Sequence, residues 1–184
     1  MVAGELAFAI VGVPLYVLFV LPKCPDGVLP GIVPPIAPDA NLALSLLATV
    51  GVVAVGIGVV ALLSRVFGAE QFKVDAIDEL LNNFSTADLV AIYIAAGFAE
   101  EFLFRATLMS LFGLVISTLL FTAAHFAYWR KPLMIVYVFA MGLVMGLLFS
   151  YTGSLLLCAI AHAAYNLAIS LLMKTGKLPL DKKV

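Results

Sequence analysis

The sequence predicts an all-α integral membrane protein, a bundle of about six transmembrane helices with a polar cavity inside the membrane. Three observations predict this fold class: the composition, the length of the apolar stretches, and ionisable residues inside one of them. Of the 184 residues, 64% are hydrophobic and only 11% are charged, whereas soluble domains carry about 25% charged residues. A segment inside a bilayer must satisfy its own backbone hydrogen bonds, which favours helices. The chain is therefore expected to form a single membrane domain, residues 1–184.

The N-terminal part is expected to begin with two spans. Residues 5–21 form the first apolar stretch, which is just long enough to span the membrane. We interpret it as a transmembrane helix and not as a signal peptide, because no basic region precedes it. Pro14 is a predicted kink, and Pro22 is expected to end the helix. Residues 41–64 form the second span, whose glycines provide a small-residue face for helix packing. Between them, residues 22–38 contain six prolines and indicate an exposed loop.

Residues 65–84 are the most polar part of the chain. Apolar residues nevertheless recur there at helical spacing, namely Val74, Ile77, Leu80, Leu81 and Phe84. The pattern predicts a short helix lying on the membrane surface. Ser85 and Asp88 then fit a capping box, which would start the next span at about Thr86. The domain is accordingly divided into residues 1–85, with two spans and the surface helix, and residues 86–173, a four-helix core.

The four core spans follow each other closely. Span three is expected to run from Thr86 to about Leu111, and Gly113 is the only residue that can break the helix before span four at 114–129. Span five covers 132–150 and contains Gly142 and Gly146 at the spacing of a close-packing pair, and span six covers 154–173. Cys24 lies in a predicted loop and Cys158 in a span, so no disulfide framework is indicated.

Six spans place both termini on one side of the membrane, and the basic residues indicate the cytoplasm. Lys23 is the only basic residue in the opposite loops. The cytoplasmic side would carry eight: Arg65, Lys73, Arg130, Lys131, Lys174, Lys177, Lys182 and Lys183. Nucleic acid is excluded as a partner because the net charge of −1 leaves no basic patch to bind it.

Glu100, Glu101 and Arg105 lie inside the otherwise apolar run of span three. Charged groups within a membrane helix usually face a partner or a water-filled cavity, because burying a charge costs about 2.5–3.5 kcal/mol on insertion scales. Glu101 and Arg105 are four residues apart and can pair on one helix face. Glu100 points about 100° away from Glu101 and cannot share the arginine equally well. The pattern therefore predicts a structural pair, Glu101 with Arg105, and a separate role for Glu100.

Two histidines complete the polar set. His125 lies in predicted span four, and His162 lies in span six, four residues before Asn166 on the same helix face. In chain order, Glu100-Glu101-x-x-x-Arg105, Phe121-x-x-x-His125 and His162-x-x-x-Asn166 resemble the motifs of the CAAX protease and bacteriocin-processing (CPBP) family. This family includes the Ras-converting type of CAAX endoprotease. The resemblance covers about residues 86–173.

The resemblance implies an intramembrane endopeptidase that uses a glutamate-activated water and no cofactor. In that reading Glu100 is the general base, His125 helps to hold the water, and His162 with Asn166 stabilises the oxyanion. Glu101 with Arg105 would hold the site in shape. The expected partners are the lipid bilayer and a membrane-associated or lipidated peptide or protein substrate. Depth presents one difficulty: His125 is expected about 6 Å beneath Trp129, while Glu100 lies roughly 21 Å along span three. They can line one site only if span three begins later or tilts, or if the cavity is a funnel open to the cytoplasm, and the funnel is the interpretation that we favour.

Other functions are compatible with the same residues. Two histidines and the glutamates could bind zinc in a metal-dependent protease, although no His-Glu-x-x-His motif is present. Buried carboxylates and imidazoles could instead form the proton relay of a transporter, although no inverted repeat is visible. A non-enzymatic membrane protein, such as a bacteriocin-immunity protein, is a further alternative.

Overall fold

The computed structural model describes residues 2–24 and 41–176, and all of the regular secondary structure in this part of the chain is helical, without strands. Seven α-helices follow one another: α1 Val2–Leu15, α2 Leu42–Phe67, α3 Asp75–Asn83, α4 Thr86–Glu101, α5 Ser110–Ala124, α6 Pro132–Thr152 and α7 Leu155–Lys174. The predicted all-α fold class is confirmed.

Four helical stretches are long and apolar enough to cross a membrane. Three are α2, α6 and α7, and the fourth is the 39-residue stretch Thr86–Ala124, which contains α4 and α5. A shorter apolar helix, Ala7–Lys23, accompanies them. The protein is thus a multi-pass helical membrane protein.

The stretch Thr86–Ala124 reverses direction at Gly113. Gly113 has φ of 78° and ψ of 176°, a conformation that glycine adopts readily because it has no Cβ atom. After the turn, the Phe121 ring packs edge-on against Phe104, with 5.1 Å between ring centroids. In one straight helix these residues would be about 25 Å apart. The predicted tight turn between spans three and four is therefore present.

The ends of three predicted segments are now defined. α4 begins at Thr86 through the predicted capping box, in which Ser85 and Asp88 satisfy each other's backbone N–H groups. The first helix continues past Pro22 by one residue, as a 3₁₀ turn at Leu21–Lys23. Span four is shorter than predicted, because α5 ends at Ala124 and a 3₁₀ turn follows at Phe126–Tyr128. The predicted loop at 22–38 lies mostly outside the described residues.

The predicted surface helix packs onto the bundle. Leu80 and Leu81 of α3 are buried against Leu89, Tyr93 and Ala163 of α4 and α7. Val74, directly before α3, is also buried. Part of the apolar face that predicted membrane binding therefore contacts protein, because the ends of α4 and α7 offer apolar side chains at the same level.

Glycines set the closest helix contacts. A Cβ atom on Gly97 of α4 would lie 2.8 Å from the carbonyl oxygen of Ala159 in α7, a distance that Cβ atoms do not tolerate. Cβ atoms on Gly142 and Gly146 of α6 would collide with side chains of α5, which confirms the predicted close-packing pair. In α2 only Gly56 makes such a contact, whereas Gly51 and Gly58 have open space around them. The tightest packing therefore lies among the four helices α4 to α7, around the predicted site.

Candidate active site

Glu100 and Glu101 lie at the C-terminal end of α4, where the helix widens. A π-helical segment, Phe102–Met109, follows directly and continues into α5. Within it the Thr107 hydroxyl donates a hydrogen bond to the Phe102 carbonyl, 3.1 Å away and five residues back. π-helical turns are uncommon and occur frequently at functional sites. Both glutamates are buried, Glu100 with 6% and Glu101 with 0% of its surface exposed.

Glu101 is shared between two partners. Its Oε2 lies 3.0 Å from Arg105 Nε, so the ion pair predicted from the spacing is present. Its Oε1 lies 2.7 Å from His162 Nδ1. Because the carboxylate can only accept, Nδ1 of His162 carries the proton and donates it. The Glu101 carboxylate therefore joins α7 to the segment that contains Arg105.

Arg105 is buried among contacts from two further helices. Its Nη2 donates a hydrogen bond to the Gly142 carbonyl of α6, 3.2 Å away. The guanidinium carbon also lies 4.6 Å from the centre of the Phe121 ring in α5, within the range of a cation–π interaction. Gly142 thus has two roles, because the missing side chain lets α5 approach and the carbonyl binds the arginine.

The two histidines present the same ring nitrogen to Glu100. Nε2 of His125 lies 3.8 Å and Nε2 of His162 lies 3.9 Å from the Glu100 Oε2 atom. Nδ1 of His125 donates to the Phe121 carbonyl, 2.8 Å away, which explains why these two residues are four apart. In their neutral forms both rings therefore direct an unprotonated Nε2 towards a carboxylate oxygen. The distances are too long for direct hydrogen bonds and suit a bridging water.

Asn166 lies one turn beyond His162 on α7 and lines the same cavity as Glu100, His125 and His162. Its amide has no hydrogen-bond partner among the residues that the structure describes. All six residues singled out in the sequence therefore lie in one region of the bundle. Four of them line a cavity of about 500 Å³, which is within the range of small-molecule sites.

The cavity also settles the difference in depth between Glu100 and His125. α4 begins at Thr86, so a later start of span three does not explain their proximity. The turn at Gly113 instead places them at the same level, because Glu100 lies 13 residues before this glycine and His125, just beyond the end of α5, lies 12 residues after it. The cavity continues along α7 to Met173, about 16 Å from His162 along the helix axis.

Zinc binding was the metal-dependent alternative for this site. Within residues 2–24 and 41–176, no group of three His, Cys, Asp or Glu side chains is arranged to hold a metal ion. The distances of 3.8 Å and 3.9 Å between Glu100 Oε2 and the histidines exceed the roughly 3.4 Å expected between tetrahedral zinc ligands at bond lengths of about 2.1 Å. The described residues therefore present no ready-made set of zinc ligands.

Sequence reasoning missed three contributors to the site. The hydrogen bond from His162 to Glu101 joins residues 61 positions apart, so no spacing rule indicates it. Gly97 was visible as a glycine one turn before Glu101, but its partner on α7 was not. Tyr137 and Tyr165, whose hydroxyl groups lie 2.6 Å apart, line the cavity beside Asn166. Each of these contacts depends on how separate helices pack.

The fold and site define a helical membrane protein with a buried glutamate–histidine centre, and the comparisons agree. Residues 82–168, which contain all six site residues, match the family described as type II CAAX prenyl endopeptidase Rce1-like. The match covers just under half of the chain, and this similarity lies over the region that contains the three predicted motifs.

One curated relative is similar to part of the chain. Uncharacterized protein YpbD of Bacillus subtilis (strain 168) is 36% identical over 78 residues, which are 42% of this chain. The aligned residues span about two fifths of the length of YpbD, 41%. No solved structure shows significant similarity to the chain.

Proposed function

We propose that the chain is an intramembrane endopeptidase in which Glu100 activates a water molecule to hydrolyse a peptide bond. The observation that carries this proposal is the convergence of Nε2 atoms from His125 and His162 on the Glu100 carboxylate, at 3.8 Å and 3.9 Å. Glu100 Oε2 and the unprotonated Nε2 of His125 are two acceptor atoms 3.8 Å apart, an arrangement that favours a molecule with two protons to donate, and water is the simplest. The family match supports a CAAX-type protease as the general class.

In the proposed reaction, the water bridges Glu100 and His125. Glu100 accepts one proton from the water. At the same time the water oxygen forms a bond to the substrate carbonyl carbon, and the carbonyl oxygen becomes an oxyanion. The Asn166 amide donates to this oxyanion. His162 also donates through Nε2 in its doubly protonated form, whose charge the adjoining Glu101 carboxylate stabilises. The carbon–nitrogen bond then breaks, and Glu100 transfers its proton to the leaving nitrogen.

Glu101 and Arg105 act as positioning residues in this proposal. Because the Glu101 carboxylate accepts from His162 Nδ1 at 2.7 Å, it sets both the tautomer and the orientation of that ring. Arg105 in turn holds Glu101 and reaches the Gly142 carbonyl. The substrate is proposed to be a membrane-associated or lipidated peptide, in line with the family description.

The decisive test compares the wild type with Glu100→Gln on a prenylated CAAX peptide, followed by sequencing of the product. Glutamine keeps the shape of the side chain but cannot take up the proton, so folding should be retained while the rate falls by about 10²–10⁴-fold. Glu79→Gln is the matched control, because Glu79 is exposed on α3 and lies outside the cavity. A Glu100→Gln variant that keeps more than about a tenth of the wild-type rate would exclude Glu100 as the base.

A strong chelator distinguishes the glutamate mechanism from the zinc alternative. Cleavage that resists the chelator and disappears in Glu100→Gln supports glutamate catalysis. Activity that vanishes with the chelator and returns with added zinc would instead support a metal enzyme. A wild type that cleaves no peptide, and whose proton transport depends on Glu100, would support the transporter reading.

We further propose that both termini face the cytoplasm. The described basic residues on the proposed cytoplasmic side are Arg65, Lys73, Arg130, Lys131 and Lys174. Lys177, Lys182 and Lys183 lie outside the described residues. A cysteine placed at residue 183 should not react with a membrane-impermeant reagent added to intact cells, and efficient labelling from outside would reverse the topology.

A further inference from the structure

Residues 68–74, here called the cap, connect α2 to α3 and form one wall of the cavity. Gly68 ends α2 with φ of 88°, a conformation that favours glycine, and the 3₁₀ turn Ala69–Gln71 follows. Phe72 and Val74 line the cavity together with Glu100. Only 4% of Phe72 is exposed, whereas Glu70 and Gln71 in the same segment face outwards. The cap therefore separates this end of the cavity from the outside of the bundle.

Lys131, directly before α6, ties the cap to the rest of the protein. Its Nζ donates hydrogen bonds to the backbone carbonyls of Glu70, at 2.6 Å, and of Lys73. Lys73 also forms an ion pair with Glu70 inside the cap. Phe72 adds an edge-on contact with Tyr137 of α6, with 6.4 Å between ring centroids. Hydrogen bonds from Lys131 and the fit of the apolar side chains therefore both hold the cap in place.

The other walls of the cavity are far harder to move. Most of them are long helices, of which α4 and α7 meet in backbone contact at Gly97, and α5 and α6 meet at Gly146. Separating such helices would disrupt close packing over several turns. The 3₁₀ turn Phe126–Tyr128 and Ile77 of α3 complete the lining. The cap has one 3₁₀ turn and no partner strand or helix of its own, and segments of this kind open at the lowest free energy.

We propose that the cap is the lid through which substrate reaches Glu100, that Lys131 holds it closed, and that Phe72 determines which substrates enter. This inference rests on the proposed peptidase function. The site is shielded, with His125 and His162 side chains only 20% and 10% exposed, so a peptide needs an opening. Lifting the cap removes Phe72 and Val74 from the cavity wall and provides one, as lids do in other enzymes.

The opening of the lid can be measured without any substrate. Val74→Cys, in a Cys24→Ser background, places a thiol on the inner side of the cap. Adding Lys131→Met removes the ammonium group but keeps most of the apolar stem, and should raise the rate of maleimide labelling about tenfold. Lys174→Met is the matched control, since Lys174 also donates to a backbone carbonyl, that of Phe84, but outside the cap. Cys158, which is fully buried, should stay unlabelled throughout and thereby exclude general unfolding.

Substrate choice is measured with two prenylated peptides that differ only in the bulk of one residue beside the cleaved bond. The wild type should prefer the smaller peptide, and Phe72→Ala should reduce this preference in kcat/KM about tenfold, with Phe72→Leu in between. Phe67→Ala is the matched control, because Phe67 is 57% exposed at the end of α2 and does not line the cavity.

Two results would overturn the proposed lid. Unchanged labelling after Lys131→Met would show that the lysine does not hold the cap, and an unchanged preference in Phe72→Ala would show that substrate does not pass Phe72. A wild type that cleaves neither peptide would overturn the peptidase function and the selective role of Phe72 with it. Labelling would still decide whether Lys131 controls the cap, so the two failures are distinguishable.

Discussion

The helices α4–α7 and the N-terminal part of the molecule contribute different things to the same cavity. Every polar residue of the candidate site lies on α4–α7 or on the segments that join them. The N-terminal part, from α1 to α3, contributes apolar side chains to the wall: Phe8, Val52, Val60, Phe72, Val74 and Ile77. The helices α4–α7 therefore contribute the polar side chains of the candidate site, and the N-terminal part contributes apolar side chains that cover it.

The packing of the two regions is therefore under different constraints. Charges buried in a membrane must meet their partners within a few tenths of an ångström, and backbone contacts between α4 and α7 provide that accuracy. An apolar wall needs only a suitable shape, which many side chains can supply. The family match agrees with this division, because it covers residues 82–168 and begins at the end of α3. The predicted boundary at residue 85 stays a prediction.

Replacing an arginine is expected to give the largest difference in thermal stability between the two regions. Arg105→Ala leaves the Glu101 carboxylate buried without its guanidinium partner, and breaking a buried pair typically costs about 3–5 kcal/mol. The melting temperature in detergent should fall strongly, and activity should fall with it. Arg65→Ala, at an exposed position in α2, is the control and should change little. An unchanged melting temperature for Arg105→Ala would mean that the pair does not stabilise the fold.

A smaller difference is expected for two glycines. Gly97→Ala forces a methyl group against the Ala159 carbonyl, so we expect a loss of about 1–3 kcal/mol, as in other overpacked cores. Activity should also decrease, because Glu100 lies one turn further along α4. Gly51→Ala has open space in α2 and should be neutral or stabilising by up to about 1 kcal/mol, since alanine favours the helix. Thermal unfolding of both variants tests the comparison, and equal stability would contradict it.

The smallest effect is expected where the two regions are joined by hydrogen bonds. The Tyr137 hydroxyl of α6 lies 3.1 Å from the Gly56 carbonyl of α2 and 2.6 Å from the Tyr165 hydroxyl of α7. Tyr137→Phe should destabilise the protein by about 0.5–1.5 kcal/mol. Tyr151→Phe, at a half-exposed position near the end of α6, should have no effect on the melting temperature. If Tyr137→Phe lost more stability than Gly97→Ala, the hydrogen bonds between the two regions would matter more than the close packing within α4–α7.

The sequence predicted the fold class and the helix order well because both depend on local patterns. The capping box at Ser85 and the turn at Gly113 use only neighbouring residues, and both are present. The pair of Glu101 with Arg105 follows from helical periodicity for the same reason. The motifs then indicated the family.

Features that depend on packing between helices could not be predicted. The hydrogen bond from His162 to Glu101 and the contact of Gly97 with α7 join parts of the chain that only the folded bundle brings together. The end of span four was predicted at residue 129 but lies at Ala124, because His125 leaves the helical conformation while its Nδ1 donates to the Phe121 carbonyl. Apolar residues around 74–84 predicted a membrane surface, but the same pattern also suits a protein surface.

The turn at Gly113 has a consequence for biosynthesis. Because the joint between α4 and α5 is so short, we expect the two helices to enter the bilayer together as a helical hairpin. Glu101 and Arg105 pair on one side of this hairpin, so their charges can compensate each other without any later segment. His162 follows 61 residues later on α7, so the candidate site is complete only once α7 has docked.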